Sequence, residues 1–198
     1  MSPQVVPPEY LEKYRQALSK LYKINAESEE AFLSKLSYFE VKLDEVVTAE
    51  GEVEDYLYMV FSGGIRLFVN HNQKEVSTNF RFPGEFVSSI ESFLARKPSN
   101  YVLKALEESI LIGIKHADLF SLYDSYPEVN ALGRVALENF FISQKKRVQD
   151  LLTLTAEERY QKLINNQLDY VQNIPLKHLA SFLGITPESL SRIRAKRS

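Results

Sequence analysis

The stretch 174–196 constrains the fold most, because it carries the start and stop signals of two short helices around a tight turn. Apolar residues recur at helical spacing before Gly184, which can adopt the left-handed conformation that ends a helix. Thr186 then has the position of an N-cap residue, with Pro187 as the first residue of a second helix. This order of apolar face, turn and cap predicts a helix-turn-helix.

The second of these helices has the side chains that recognition of a DNA major groove requires. Arginine can pair with a guanine edge, glutamate can accept from a cytosine amine, and hydroxyl and basic groups bind phosphate oxygens. The alternative is an ordinary helical hairpin with a solvated basic face. The pattern favours DNA binding, and the residues predicted to contact DNA are Thr186, Glu188, Ser189, Ser191, Arg192, Arg194 and Lys196.

The charges are distributed unevenly along the 198 residues, although the formal net charge is only −2. Residues 175–198 contribute +4 and the remainder contributes −6. A basic end on an acidic body is typical of a nucleic-acid-binding module joined to a module that binds no nucleic acid.

Composition excludes several other classes of protein. Cysteine is absent, which excludes disulfides and cysteine-ligated iron–sulfur clusters. Because no apolar run could span a bilayer and residues 1–8 lack the pattern of a signal peptide, we expect a cytoplasmic protein with no membrane partner. No catalytic motif and no glycine-rich phosphate loop is evident, so we expect neither enzyme activity nor a cofactor.

The body of the chain begins with two helical segments and then changes its hydrophobic period from helical to two at Phe39. Short alternating runs separated by turn residues continue to Lys115, which predicts an antiparallel double-sheet roll or barrel. Pro127 opens a long helix to about Leu152, and Thr155 with Glu158 has the spacing of a capping box for the next helix.

Apolar residues in the long helix recur approximately every seven positions, as in helices that dimerise. The alternative is a helix that packs only on its own roll. Because helix-turn-helix modules generally act in pairs on two half-sites, we favour the dimer. The predicted apolar stripe consists of Val129, Leu132, Ala136, Phe140, Val148 and Leu151.

Three motifs carry a resemblance to a known family, namely Gly51-Glu52 followed by 56–63, Phe82-Pro83-Gly84-Glu85-Phe86, and 183–193. With this order of elements, the chain resembles the Crp–Fnr family of bacterial transcription regulators. The resemblance implies an α+β fold with three parts. These are a cyclic-nucleotide-binding-like jelly roll of antiparallel sheets as the sensor domain (1–126), a long dimerisation helix (127–152) and a helix-turn-helix DNA-binding domain (153–198).

The resemblance also implies a function and partners. The family regulates transcription as homodimers bound to palindromic operators in double-stranded DNA, with RNA polymerase and a small-molecule effector as candidate partners. By position, Glu188 and Arg192 match the family's base-reading acid and arginine.

The implied effector site departs from the pattern of the cyclic-AMP-binding members. Their Gly-Glu pair, which holds the ribose, aligns with Ser88-Ser89, and their Arg-Ser pair, which binds the cyclic phosphate, aligns with Ser99-Asn100. A charge-assisted hydrogen bond is roughly twice as strong as a neutral one, so we expect a degenerate or altered pocket and do not expect cyclic AMP as its ligand. The residues assigned to this pocket are Phe82, Gly84, Phe86, Ser88, Ser89, Ser99 and Asn100.

Some alternatives stay open on the sequence alone. Arg96 and Lys97 either replace the missing arginine or are solvated loop charges, and the aromatic residues nearby either line a pocket for a less polar ligand or fill the core. The second choice is favoured in both cases. A metalloenzyme built on the roll would need clustered ligands, and only His71 and His116 are available there. A ligand-binding sensor or interaction module without DNA binding is the remaining alternative.

Overall fold

The computed structural model describes residues 1–195, with the side chains of residues 1–165 and 171–195. Helices α1 (Pro8–Leu21) and α2 (Ala26–Leu33) precede the strands. The strands in the described part of the chain are β1 (Leu36–Val41), β2 (Val46–Thr48), β3 (Tyr56–Ser62), β4 (Ile65–His71), β5 (Lys74–Arg81), β6 (Phe86–Val87), β7 (Val102–Ala105) and β8 (Ser109–Lys115). The helices after β6 are α3 (Ile90–Ala95), α4 (His116–Ser125), α5 (Pro127–Thr153), α6 (Ala156–Val171), α7 (Leu176–Leu183) and α8 (Pro187–Ala195).

The strands form two four-stranded sheets, in the orders β1-β8-β3-β6 and β2-β7-β4-β5. Their paired strands are antiparallel. Alternating apolar residues such as Phe39, Val60, Leu103 and Leu111 are buried together in one core cluster that draws on both sheets. The α+β fold with an antiparallel double-sheet roll, predicted from the alternation, is therefore confirmed.

One helix boundary and one strand differ from the sequence pattern. The helical pattern of the second segment extends to Leu36, but the helix ends at Leu33, because Leu36 pairs with Ile114 as the first residue of β1. The two-residue strand β6 has no counterpart in the sequence pattern, since it is too short to show alternation.

A second core cluster joins the N-terminal helices to the roll. Tyr14 of α1, Phe32 of α2 and Leu119 of α4 pack with Ile112 of β8 and with Val129 of α5. The first turns of α5 are thus fixed on the roll, and Pro127 begins the helix at a position where a missing N–H has no cost.

The apolar stripe predicted along α5 is buried over only part of its length. Val129 and Leu132 are buried against the roll, whereas Val148 and Leu151 are 56% and 43% exposed. An α-helix advances about 100° per residue, so Leu151 lies only about 40° around the helix from Val129 and Val148 lies about 100° from it. The stripe is therefore buried at its N-terminal end and exposed at its C-terminal end.

The capping box that begins α6 is confirmed. The backbone N–H of Thr155 donates to Glu158 Oε2 at 2.7 Å, and the N–H of Glu158 donates to Thr155 Oγ1 at 3.2 Å. The next two helices bury Leu179, Leu183 and Leu190 in a third core cluster. This cluster also contains residues of the roll, so the C-terminal helices pack directly on β5.

Candidate DNA-binding surface and effector cavity

The turn between α7 and α8 has the geometry that the sequence predicts. Gly184 has φ 71° and ψ 30°, a left-handed conformation that favours glycine. The N–H of Ile185 donates to Ala180 O at 3.0 Å, which satisfies a carbonyl at the end of α7. The hydroxyl of Thr186 accepts a hydrogen bond from the N–H of Ser189 at 3.2 Å, so Thr186 caps α8 as expected.

The outer face of α8 presents Glu188, Ser191 and Arg192 to solvent. Hydrogen bonds from its own backbone N–H and from Thr186 hold the pKa of the Glu188 carboxyl below its usual value, so this side chain is an anion near the helix N-terminus. The nearest partner of the Arg192 guanidinium is the carbonyl of Glu188, at a long 3.5 Å. Arg192 is therefore available to a ligand outside the chain.

Not all of the predicted contact residues face outward. Arg194 Nε donates to the hydroxyl of Tyr160 at 3.0 Å, and the guanidinium lies 5.7 Å from the centre of that ring. Arg194 is thus half-buried and packs back on α6, and its contact with DNA stays a prediction. Ser189 is half-buried beside the cap. Lys196 lies outside the described residues.

The other helix of the motif, α7, contacts the roll through polar and aromatic groups. The Ser181 hydroxyl accepts from the N–H of Ser77 at 3.0 Å and donates to the carbonyl of Glu75 at 3.3 Å. The ring of Phe182 lies 5.3 Å from that of Phe80, and the Arg147 guanidinium lies 3.6 Å from the Phe182 ring centre. Sequence reasoning missed this contact, because the helical pattern of α7 contains no signal for its partner.

Burial at the same contact perturbs two basic groups. Loss of solvent lowers the pKa of Arg147 to about 10, with a further lowering from Arg159. Loss of solvent also lowers the pKa of His178 to about 4, and the positive charges of Arg66 and Lys177 act in the same direction. His178 is consequently neutral at physiological pH.

The structure brings together one residue from each of the two pairs of the predicted effector site, Ser88-Ser89 and Ser99-Asn100. Ser99 Oγ donates to Ser89 Oγ at 2.7 Å, across a gap of ten residues in sequence. Beside them, the carboxylate of Glu54 is only 2% exposed and accepts from Thr48 Oγ1 at 2.7 Å and from the Ser89 N–H at 3.4 Å. Burial raises the pKa of Glu54. Sequence reasoning missed Glu54, although it lies in the 51–63 motif.

The remaining residues assigned to the effector pocket are divided between several environments. Phe86, Ser88 and Ser89 line a cavity of 710 Å³ between the roll and the helices α1, α4 and α5. Other residues do not line this cavity. Phe82 is buried in the cluster with the C-terminal helices, Gly84 is an exposed turn residue with φ 87°, and Asn100 is exposed.

The two nearby basic residues, Arg96 and Lys97, have different surroundings. Arg96 donates to the carbonyl of Glu54 and forms an ion pair with Asp55. Lys97 is exposed. Lys97 thus has the solvated position that the sequence favoured, whereas Arg96 is bonded to Glu54 and Asp55.

The two histidines of the roll lie apart. His71 ends β4 and is exposed, whereas His116 begins α4 and stacks on Phe120 with ring centres 4.2 Å apart. Among the residues that the structure describes, no group of three or more His, Cys, Asp or Glu side chains could hold a metal ion. Within residues 1–195, no helix is both long enough and apolar enough to cross a membrane.

The fold and this arrangement define a class of protein. Residues 38–126 match the family described as "Cyclic nucleotide-binding domain". Residues 38–126 thus resemble a cyclic nucleotide-binding domain, and the helices after them have the fold of Crp–Fnr regulators, so the resemblance predicted from the sequence is confirmed. No curated protein matches the chain.

Several solved structures share the fold across most of the chain. The c-di-GMP responsive global regulator CLP of Xanthomonas campestris is 19% identical with a TM-score of 0.68, covering 87% of this chain and 91% of its own. FixK2 of Bradyrhizobium japonicum is 18% identical with a TM-score of 0.69, covering 81% of this chain and 83% of its own. The catabolite activator protein of Thermus thermophilus is 22% identical with a TM-score of 0.57, covering 91% of this chain and 85% of its own.

Proposed function

We propose that the protein is a homodimeric transcription regulator that binds a palindromic site in double-stranded DNA. The observation that carries this proposal is the capped helix α8, whose exposed face holds Glu188 and Arg192 with no strong partner for the arginine within residues 1–195. Arginine and glutamate at this position of a helix-turn-helix can read guanine and cytosine edges in the major groove.

The exposed apolar face of α5 supports the dimer. Leu137, Phe141 and Val148 are 45%, 67% and 56% exposed, and they follow the four-and-three spacing of a coiled-coil seam. A second copy related by a two-fold axis would cover this face and hold two copies of α8 for the two half-sites of a palindrome.

The similar structures support the assignment to the class of transcription regulators. CLP of Xanthomonas campestris is a global regulator that links cell–cell signalling to virulence gene expression. The alternative of a sensor without DNA binding is less favoured, because it gives no role to the exposed arginine and glutamate of α8.

The proposal also includes an effector site that does not take cyclic AMP. Ser89 and Ser99 hydrogen-bond to each other, and the carboxylate of Glu54 already accepts the N–H of Ser89. A cyclic phosphate would meet a carboxylate at this point instead of an arginine. Like charges at close range are unfavourable unless one group is protonated.

Selection of DNA from a random pool at fixed, near-physiological salt tests the function. We expect the purified protein to enrich a two-fold symmetric site. Arg192→Ala should weaken binding to that site by about 1–3 kcal/mol per half-site and relax the preference at one base pair. Arg15→Ala, an exposed arginine on α1, is the matched control and should bind as the unmodified protein does.

Two results would overturn parts of this proposal. Equal affinity of the Arg192→Ala variant for the selected site would exclude α8 as the recognition helix. Enrichment of a site only when cyclic AMP is present would exclude the altered effector pocket.

A further inference from the structure

The cavity between the roll and α5 has Ser88 and Ser89 in its wall, but most of its lining is apolar. Its walls include Leu57 and Phe86 of the roll, Leu119 of α4, and Ala136 and Phe140 of α5. Its volume of 710 Å³ lies within the range of about 300–1,000 Å³ that is usual for small-molecule sites. Apolar walls of this extent favour a ligand with a largely hydrocarbon body.

A polar group at the edge of this cavity has no partner. The hydroxyl oxygen of Ser88, which lines the cavity, is buried and forms no hydrogen bond with any described residue. A buried hydroxyl without a hydrogen-bond partner is unfavourable in proteins. A ligand that supplies an acceptor or donor to Ser88 would remove this cost, since a serine side chain can rotate between staggered positions.

The positive charge of one side chain in the cavity wall has only a distant acidic partner. Arg81 lines the cavity with its side chain only 16% exposed, and its ion pair with Glu85 is long, at 3.6 Å. Loss of solvent lowers the pKa of Arg81. Glu85 compensates the charge of Arg81 through this long contact, and the positive charge of Arg147 acts on the same region. An anionic group would be stabilised here by a charge-assisted hydrogen bond.

From these observations we propose that the cavity binds an amphiphilic carboxylate, with its hydrocarbon body between the roll and α5 and its head group at Arg81. We expect no phosphate at Ser89 in the cavity wall, because its N–H already donates to the Glu54 carboxylate. The role of this ligand as an effector rests on the proposed function, but its binding can be measured without DNA.

Calorimetric titration of the full chain with decanoate, decan-1-ol and cyclic AMP tests the proposal. Decanoate should bind one molecule per chain, and decan-1-ol should bind more weakly because it lacks the charge. Cyclic AMP should give no heat and should not compete with decanoate. No saturable binding of decanoate would overturn the proposal, whatever the result of the DNA selection.

Variants locate the site. Arg81→Gln should weaken decanoate binding by about tenfold or more and leave decan-1-ol unchanged. Arg134→Gln is the matched control, because Arg134 also lines the cavity but is exposed and paired with Glu138 at 2.7 Å. Equal losses of decanoate affinity in both arginine variants would overturn the assignment of the head group to Arg81.

Two further variants test the body of the ligand and the serine. Ala136→Phe should fill the cavity and weaken both ligands, and Ala136→Leu serves the same purpose should the larger residue prevent folding. Ser88→Ala should weaken decanoate by about two- to tenfold without lowering the melting temperature of the free protein. Unchanged decanoate affinity in folded Ala136 variants would show that the ligand binds elsewhere and would overturn the proposal.

Discussion

Phe141 offers the sharpest test of the exposed face of α5. Its side chain is 67% exposed in the single chain, and that of its neighbour Ile142 is 63% exposed. Because successive residues of a helix point about 100° apart, the two side chains lie on different faces. Phe141 follows the spacing of Leu137 and Val148, whereas Ile142 does not.

We expect Phe141→Ala to weaken the dimer strongly. Full burial of a phenylalanine side chain is worth about 1.5–3 kcal/mol, so burial of the exposed part of Phe141 contributes about 1–2 kcal/mol per chain. In a dimer with a two-fold axis, both copies of Phe141 make this contribution, which gives about 2–4 kcal/mol in total. The dissociation constant should therefore rise by about 30-fold to several hundred-fold.

Sedimentation equilibrium over a range of protein concentrations measures this constant directly. Ile142→Ala removes a similar exposed apolar side chain from another face and should change the constant by less than about threefold. Equal effects of the two substitutions would refute the assignment of the seam. A protein that stays monomeric at every concentration would refute the dimer itself.

Three further predictions concern the C-terminal helices. Gly184→Ala should cost about 1–2 kcal/mol in thermal unfolding, because its φ of 71° strains a side chain although no atom lies closer than 3.9 Å to the added methyl group. Ser181→Ala should lower stability by about 0.5–1.5 kcal/mol through loss of the bond from the Ser77 N–H. The pKa of His178 is about 4 in the folded protein, against 6.5 ordinarily, so the unfolded chain takes up the proton first as the pH falls. We therefore expect the free energy of unfolding to have its full value above pH 6.5 and to decrease between pH 6.5 and 4. His178→Gln should flatten this part of the profile.

The controls for these predictions use neighbouring positions. Ser191→Ala on the exposed face of α8 is matched to Ser181→Ala and should leave the melting temperature unchanged. A melting temperature for Gly184→Ala equal to that of the unmodified protein would contradict the left-handed turn. A stability profile that is equally steep between pH 6.5 and 4 in His178→Gln would assign this pH dependence to other groups.

The sequence by itself determined the local structure of this protein. From Phe39 onward, apolar and polar residues alternate along the chain. This pattern predicted the sheets, because every second residue of a strand faces the same core. Gly184 and Thr186 predicted the helix-turn-helix turn, because its backbone conformation and its cap each demand a particular kind of residue. Ser99 stands where the resemblance implies a phosphate-binding arginine, and the altered pocket expected from it stays a prediction.

Tertiary structure alone decided which groups meet across the chain. Glu54 and Ser89 are separated by 35 residues, and only the closing of the roll brings the carboxylate to the N–H. Arg194 has the sequence context of an outward residue, yet it turns to Tyr160 because α6 lies within its reach. Which part of α5 is buried likewise depends on how far the roll extends along the helix. Such contacts depend on distances between elements, and these are set by packing and not by the local pattern.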